Sequence, residues 1–231
     1  MHKIVPLGDA AVLAEFSERL DLEVNARIQR LARAIQNRRV PWVRDVVPAL
    51  ASLALHLDRT KLQRGVSALD VAAALIDECL GTELPHEDAR TIDLPVCYHA
   101  DFAPDLDDVA QRCKLSVDEV VRLHATSPHR VMMVGFVPGH PYIGGLDPKL
   151  SVPRRATPRQ RVPTGSIATA NAQTVMYPFP SPSGWSIIGR TPERLFDARR
   201  SPPVLLLPGD RVRIVAIDRD EFERRRRALE S

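Results

Sequence analysis

The sequence predicts an α+β N-terminal domain over residues 1–87, followed by a mainly β domain over residues 88–231 that ends in a helix. Three observations predict it. The first 85 residues read strand, strand, helix, strand, strand, helix. A short polar joint, Leu84-Pro85-His86-Glu87-Asp88, comes next. Beyond it, short apolar runs alternate with turn residues: 14 of the 20 prolines and 8 of the 11 glycines fall between Pro128 and Gly209. Pro fixes φ and Gly reaches backbone conformations other residues avoid, so such density marks shaped loops between short strands.

In the first unit, Lys3 to Leu7 and Ala11 to Phe16 alternate loosely about the turn signal Gly8-Asp9, as a hairpin does. Asp21 is placed to cap a helix running to about Asn37, with Ile28, Leu31, Ala32 and Ile35 on one face. Val43 to Pro48 and Leu50 to Leu57 read as strands. Ser67 with Asp70 three residues on opens a second helix, and Gly81 is expected just past its end. Two helices on one face of a mostly antiparallel sheet bury these stripes economically.

In the second unit, Thr91 to Tyr98 reads as a strand, Asp105 to Cys113 and Val117 to Ala125 as helices, and Val131 to Phe136 as a buried strand. Short strands are expected near Ser166 to Ala170, Val175 to Tyr177, Trp185 to Ile188, Val204 to Leu207 and Arg211 to Ile217. This spacing points to a barrel or a sandwich. Asp218 to Leu229 reads as a surface helix anchored by Phe222 and Leu229.

With 44% hydrophobic and 26% charged residues, the chain can bury a sizeable core. The net charge of +3 concentrates in Arg154 to Arg161 and Arg224 to Arg227, which permits an anionic small molecule or acidic partner and is weak evidence for nucleic acid, so no nucleic-acid partner is expected. Three cysteines without CxxC spacing read as reduced thiols, and the 7 histidines show no metal-ligand spacing, so no metal site is expected. No apolar run reaches the roughly 18 residues of a membrane span, and the N-terminus lacks a secretory apolar stretch, so the cytoplasm is expected.

The chemistry-bearing residues crowd Val131 to Asp197. Gly135-Phe136-Val137-Pro138-Gly139-His140-Pro141-Tyr142 follows a buried strand, and His140 is a possible general acid or base there; a packed corner histidine is the competing reading. Arg154, Arg155, Arg159 and Arg161 lie among Pro153, Pro158 and Pro163, and Arg190 ends a strand. Stiffened guanidinium groups grip carboxylate or phosphate; a solvated basic loop is the alternative. Thr164-Gly165-Ser166 and Asn171-Ala172-Gln173-Thr174 offer hydroxyl and amide groups that could read an amide substrate or simply cap turns. Tyr177 and Trp185 suit core packing better than a ligand platform. Tyr98 to Phe102 is a possible second loop onto the same pocket, with a surface turn the stronger reading. No P-loop, GxGxxG or GxSxG pattern occurs.

The ordered blocks GFVPGHPYIGGL, PRRATPRQRVPTGS, QTVMYPFPSPSGW, IIGRTPERLFD and LLPGDRVRIV resemble the family of the B subunit of bacterial 5-oxoprolinase, also described as the KipI or allophanate hydrolase subunit 1 family. GDAAVLAEF, VPALASL and LPVCYHADFAPDLDDVA extend the resemblance over nearly the whole chain. It implies a cyclophilin-like barrel for the second domain. It also implies two partner subunits, a homologous barrel protein designated C and another protein designated A. Their complex hydrolyses 5-oxo-L-proline to glutamate with ATP and Mg, this chain being inactive alone. Alternatives within the resemblance are a KipI-like inhibitor of a sensor histidine kinase and a component of an enzyme for another amide, such as a urea derivative. His140 and Arg155 are implied as catalytic, and Tyr142, Arg154, Ser166, Gln173, Tyr177 and Arg190 as substrate-binding. The sequence leaves the family pattern at His140, where Phe is usual, at Thr164, and in the stretch Ala168 to Ala172.

Overall fold

The computed structural model describes residues 2–82 and 89–230, so the expected joint and the boundary after residue 87 lie outside the described residues. The chain divides into two compact units, Met1–Asp88 and Ala89–Ser231.

In the first unit, β1 (Lys3–Pro6), β2 (Ala11–Glu15), β3 (Val43–Pro48) and β4 (Ser52–Leu57) form an antiparallel sheet in the order β1-β2-β4-β3. Helices α1 (Leu22–Arg38) and α2 (Ala68–Gly81) supply the other half of its core. Val12 and Ala14 on β2, and Leu53 and Leu55 on β4, follow the period of two that turns alternate side chains to one face. They meet Ile28, Leu31, Ile35 and Ile76 from the helices. The Asp21 carboxylate accepts from the Glu23 and Val24 amides at 2.8 and 3.0 Å, and the Ser67 hydroxyl accepts from the Asp70 amide at 3.3 Å. Both N-termini begin as expected. Gly81 differs: it is the last residue of α2, and the turn beyond is tied by the Thr82 hydroxyl donating to the Cys79 carbonyl at 2.9 Å.

The second unit is a closed seven-stranded barrel with helices against it. Its strands are β5 (Thr91–Cys97), β6 (His129–Val134), β7 (Pro141–Gly144), β9 (Ser166–Ala170), β10 (Gln173–Met176), β12 (Ser186–Arg190) and β13 (Arg211–Ile217), in the order β10-β7-β6-β13-β5-β12-β9. Strands β8 (Arg159–Val162) and β11 (Ser181–Ser183) pair separately. β5 and β13 run parallel from Thr91 opposite Arg211 to Cys97 opposite Ile217, and every other barrel pairing is antiparallel. Arg90 grips the Asp210 carboxylate with two bonds, 3.0 and 2.5 Å, at the start of that parallel pair. Helices α3 (Leu106–Cys113) and α4 (Val117–Thr126) contribute Leu106, Val109, Val120 and Leu123 to the core that also holds Ile143, Ile167, Met176 and Ile188. Helix α5 (Arg219–Glu230) closes the chain.

Strands β9, β10 and β12 are buried almost throughout. One face carries Ile167, Met176 and Ile188, the other Ala168, Val175 and Ile187, so two layers cover the same strands. The expected strand Val204 to Leu207 does not form; only a bridge between Val204 and Phe196 is present. Pro202, Pro203 and Pro208 border this segment and cannot donate to a ladder. Conversely, β7 forms inside the expected loop, because Pro141 is tolerated as the first residue of a strand. In α5, Phe222 is buried, but Leu229 is 41% exposed and so is no core anchor.

Candidate functional site

Most of the residues singled out from the sequence lie on or beside β7, β9, β10 and β12. After β6 the chain turns through Gly135 to Gly139 and returns with the Gly135 amide bonded to the His140 carbonyl at 3.0 Å. Gly139 has φ +77°, and a Cβ there would stand 2.9 Å from Phe196 Cβ, so the corner needs glycine. It delivers His140 into a nest of rings. Its centroid lies 5.5 Å from Phe136, 5.0 Å from Tyr142 and 4.9 Å from Tyr177, all edge-on. Desolvation lowers the His140 pKa to about 4, against a smaller opposing effect of a hydrogen bond to the Met176 backbone. At neutral pH the ring is therefore uncharged, with one ring N–H remaining as a donor.

Tyr177 continues the nest. Its hydroxyl lies 2.6 Å from Ser183 Oγ, which also accepts from the Trp185 amide at 3.0 Å. Burial raises the Tyr177 pKa, so its phenol stays protonated. Tyr142 meets Trp185 edge-on at 6.4 Å, and the Arg154 guanidinium lies 5.5 Å above the Trp185 ring. Gln173 sits on β10 opposite Ala170; it is buried, and its Nε2 finds no hydrogen-bond partner among the described residues.

Arg155 is placed elsewhere. It donates to Asp105 Oδ1 at 2.8 Å, while Arg159 reaches both Asp105 oxygens at 2.7 Å. The Ile187 amide gives Asp105 Oδ2 a further bond of 2.7 Å. Asp105 is buried and both arginines are partly buried, so this is a structural clamp fixing the Pro153 to Pro163 segment against α3 and β12. The catalytic role implied for Arg155 thus meets a guanidinium already engaged by a protein carboxylate. Asp105 was missed by sequence reasoning because it reads as an ordinary helix start; its side chain makes no cap bond and turns to the arginines instead.

Arg190 defines the other end of the layer. Ser166, buried on β9, stands opposite Arg190 on β12, and the Ser166 carbonyl accepts from the Tyr177 amide at 3.0 Å. Arg190 Nε donates to the Thr164 carbonyl at 2.8 Å, and its guanidinium lies 5.9 Å from the rings of both Phe102 and Phe222. Phe102 therefore lies beside Arg190, whereas the Tyr98 hydroxyl lies 2.7 Å from His124 Nδ1. Gly165, at φ +79°, lets Thr164 turn back; a Cβ there would stand 2.3 Å from the Thr191 carbonyl. Two clefts, of about 220 and 440 Å³, share Thr164 and Arg190.

The layer thus brings together His140, Tyr142, Tyr177 and, through Trp185, Arg154. Ser166 links them to Arg190. His140, Tyr177 and Trp185 are buried, so what the layer presents to an anionic molecule is guanidinium groups, with Arg190 lining both clefts. Among the described residues, no group of three or more His, Cys, Asp or Glu side chains could hold a metal ion, and no helix is long and apolar enough to cross a membrane.

Comparison with known proteins agrees with this architecture. Residues 2–206 match the family described as carboxyltransferase domain, subdomain C and D. The Bacillus subtilis (strain 168) protein named as the B subunit of 5-oxoprolinase is 34% identical over 231 residues, covering 96% of this chain and 95% of that one. The Escherichia coli O157:H7 protein of the same name is 38% identical over 209 residues, covering 90% and 93%. The crystal structure of TTHA0988 superposes with a TM-score of 0.77 at 37% identity. That match covers 90% of this chain but 40% of the TTHA0988 chain, which is far longer.

Proposed function

The chain belongs to the family of the 5-oxoprolinase B subunit, and from that premise we propose that it serves as this subunit in an ATP-dependent enzyme hydrolysing 5-oxo-L-proline to L-glutamate. The end-to-end match to a relative of that name, over 96% of this chain and 95% of the other, carries the reading. The reading includes the two partner subunits designated C and A, inactivity of this chain alone and a cytoplasmic location. It also includes a cyclophilin-like type for the barrel and the division into residues 1–87 and 88–231, which the closed barrel and the two compact units support.

The chemistry fits the residues. A five-membered lactam is a resonance-stabilised amide, and activating its oxygen with ATP makes the carbon open to water. What such a reaction asks of its binding surface is charge stabilisation and orientation more than a nucleophile. In this chain the guanidinium of Arg154, stacked on Trp185 and without a carboxylate partner among the described residues, and the half-buried one of Arg190 can hold carboxylate or phosphate oxygens, while Tyr177 and Trp185 form the buried packing behind Arg154. Arg155 and Arg159, through Asp105, position the segment that bears Arg154. Among the described residues no group of three or more His, Cys, Asp or Glu side chains could hold a metal ion by itself, and in this reading ATP with its magnesium belongs to the assembled complex.

The test is co-expression with the partner subunits and an assay of ATP-dependent glutamate formation from 5-oxo-L-proline. Turnover is expected from the complex and not from the isolated chain. A well-assembled complex without turnover would end this reading.

A further inference from the structure

The arginines of the Pro-rich segment sort into two kinds. Arg155 and Arg159 are consumed by Asp105. Arg161 and Arg190 have no carboxylate within ion-pair distance among the described residues, yet both line the cleft of about 440 Å³ with Pro163, Thr164 and Pro180, and that lining holds no acidic side chain. The volume falls within the roughly 300–1,000 Å³ usual for small-molecule sites.

The strand framework places Arg161, and side-chain contacts hold the guanidinium of Arg190. Arg161 lies on β8, whose Val162 pairs with Ser181 of β11 and so sets it beside Pro180. Arg190 is fixed by its Nε bond to the Thr164 carbonyl and by the two phenyl rings at 5.9 Å, which leaves its terminal nitrogens for a ligand. Its charge is under-compensated: burial and the neighbouring Arg226 both lower its pKa, and the opposing Glu223 is itself paired with Arg226 at 2.9 Å. A half-buried cation without an anion costs solvation free energy that a bound oxyanion would return.

We propose that the cleft between Arg161 and Arg190 binds an oxyanion, the carboxylate or phosphate group of a small molecule. Only the identity of that molecule rests on the function proposed above: the carboxylate of 5-oxo-L-proline and a phosphate of ATP are its two sources.

The full chain is titrated calorimetrically at low ionic strength with inorganic phosphate, with 5-oxo-L-proline and with 2-pyrrolidinone, which keeps the lactam and lacks the carboxylate. Saturable binding of phosphate or of 5-oxo-L-proline is expected, and whichever binds identifies the source. Arg161→Gln, at an exposed position where folding is not at risk, should weaken it about tenfold or more, equivalent to about 1.4 kcal/mol. Arg190→Gln, checked for folding by circular dichroism, should do the same. Binding of neither anion, equal binding by Arg161→Gln and the parent chain, or 2-pyrrolidinone binding as well as 5-oxo-L-proline would overturn the proposal. Phosphate binding that Arg161→Gln weakens supports the site even if the assembled complex fails to turn over, an outcome that removes only the proposed reaction.

Discussion

Asp105 shows how one buried carboxylate decides the fate of several arginines. It accepts bonds from Arg155, Arg159 and the Ile187 amide while itself only 3% exposed. Removing one member of such a group strands the others, which costs about 3–5 kcal/mol. Asp105→Asn should therefore lower the unfolding free energy in urea by that amount, and an undiminished midpoint would refute the clamp. Arg155→Gln leaves Arg159 in place and should cost less, roughly 1.5–3 kcal/mol. His140 carries a different signature. Its folded pKa of about 4 lies below the usual 6.5, so between those values the unfolded chain binds a proton that the folded chain refuses. Stability is thus complete above pH 6.5 and falls as pH drops toward 4, by up to ~1.4 kcal/mol per pH unit for this one group. His129, also held to about 4, and His124, held well below 6.5, add losses in the same direction. His140→Phe should flatten the acid slope between pH 6.5 and 5 while leaving the fold intact; urea titrations at the two pH values that lose stability equally in both proteins would count against it.

Elements were legible where their signals are local. Asp21 and Ser67 announce two helices because a cap is a bond between neighbours, here 2.8 to 3.3 Å, and needs nothing from the rest of the fold. Strands β7, β8 and β11 were hidden, since four or fewer residues with no alternation are defined only by the distant partners they pair with. β9 and β10 show no exposed face because both sides are covered, so even Ser166, Thr169, Gln173 and Thr174 are buried. The link between α4 and the barrel is likewise nonlocal. His124 on α4 sits 2.7 Å from the Tyr98 hydroxyl and 3.2 Å from Thr174 Oγ1 on β10, and its own carbonyl meets His129 Nε2 at 2.7 Å. Thr174→Val preserves shape but leaves a ring nitrogen unpaired in the core. It should cost about 1–3 kcal/mol in thermal or urea unfolding. A neutral result would mean that this contact does not tie the helix to the strand.

At the scale of the whole molecule, what could be read from the sequence is the pair of cores, and what could not is how the site's charges are spent. Each core draws on its own residues: the first on Leu31, Leu53 and Ile76, the second on Leu94, Val131 and Ile167. The arginines, by contrast, look alike in the sequence. Arg155 is distinguished from Arg154 only by an aspartate 50 residues away. Ser166, Tyr177 and Arg190 become neighbours only when β9, β10 and β12 close the barrel. This separation of cores yields a prediction. Residues 89–231 contain the closed barrel, the Asp105 clamp, α5 against Phe102 and both arginines of the anion cleft. Expressed alone, they should fold, show one cooperative urea transition and bind anion with the affinity of the full chain. An aggregated or non-cooperative fragment would mean that the barrel needs the first unit to be stable. A folded fragment with anion affinity lowered tenfold would instead show that the first unit orders the cleft, a coupling of about 1.4 kcal/mol between the units.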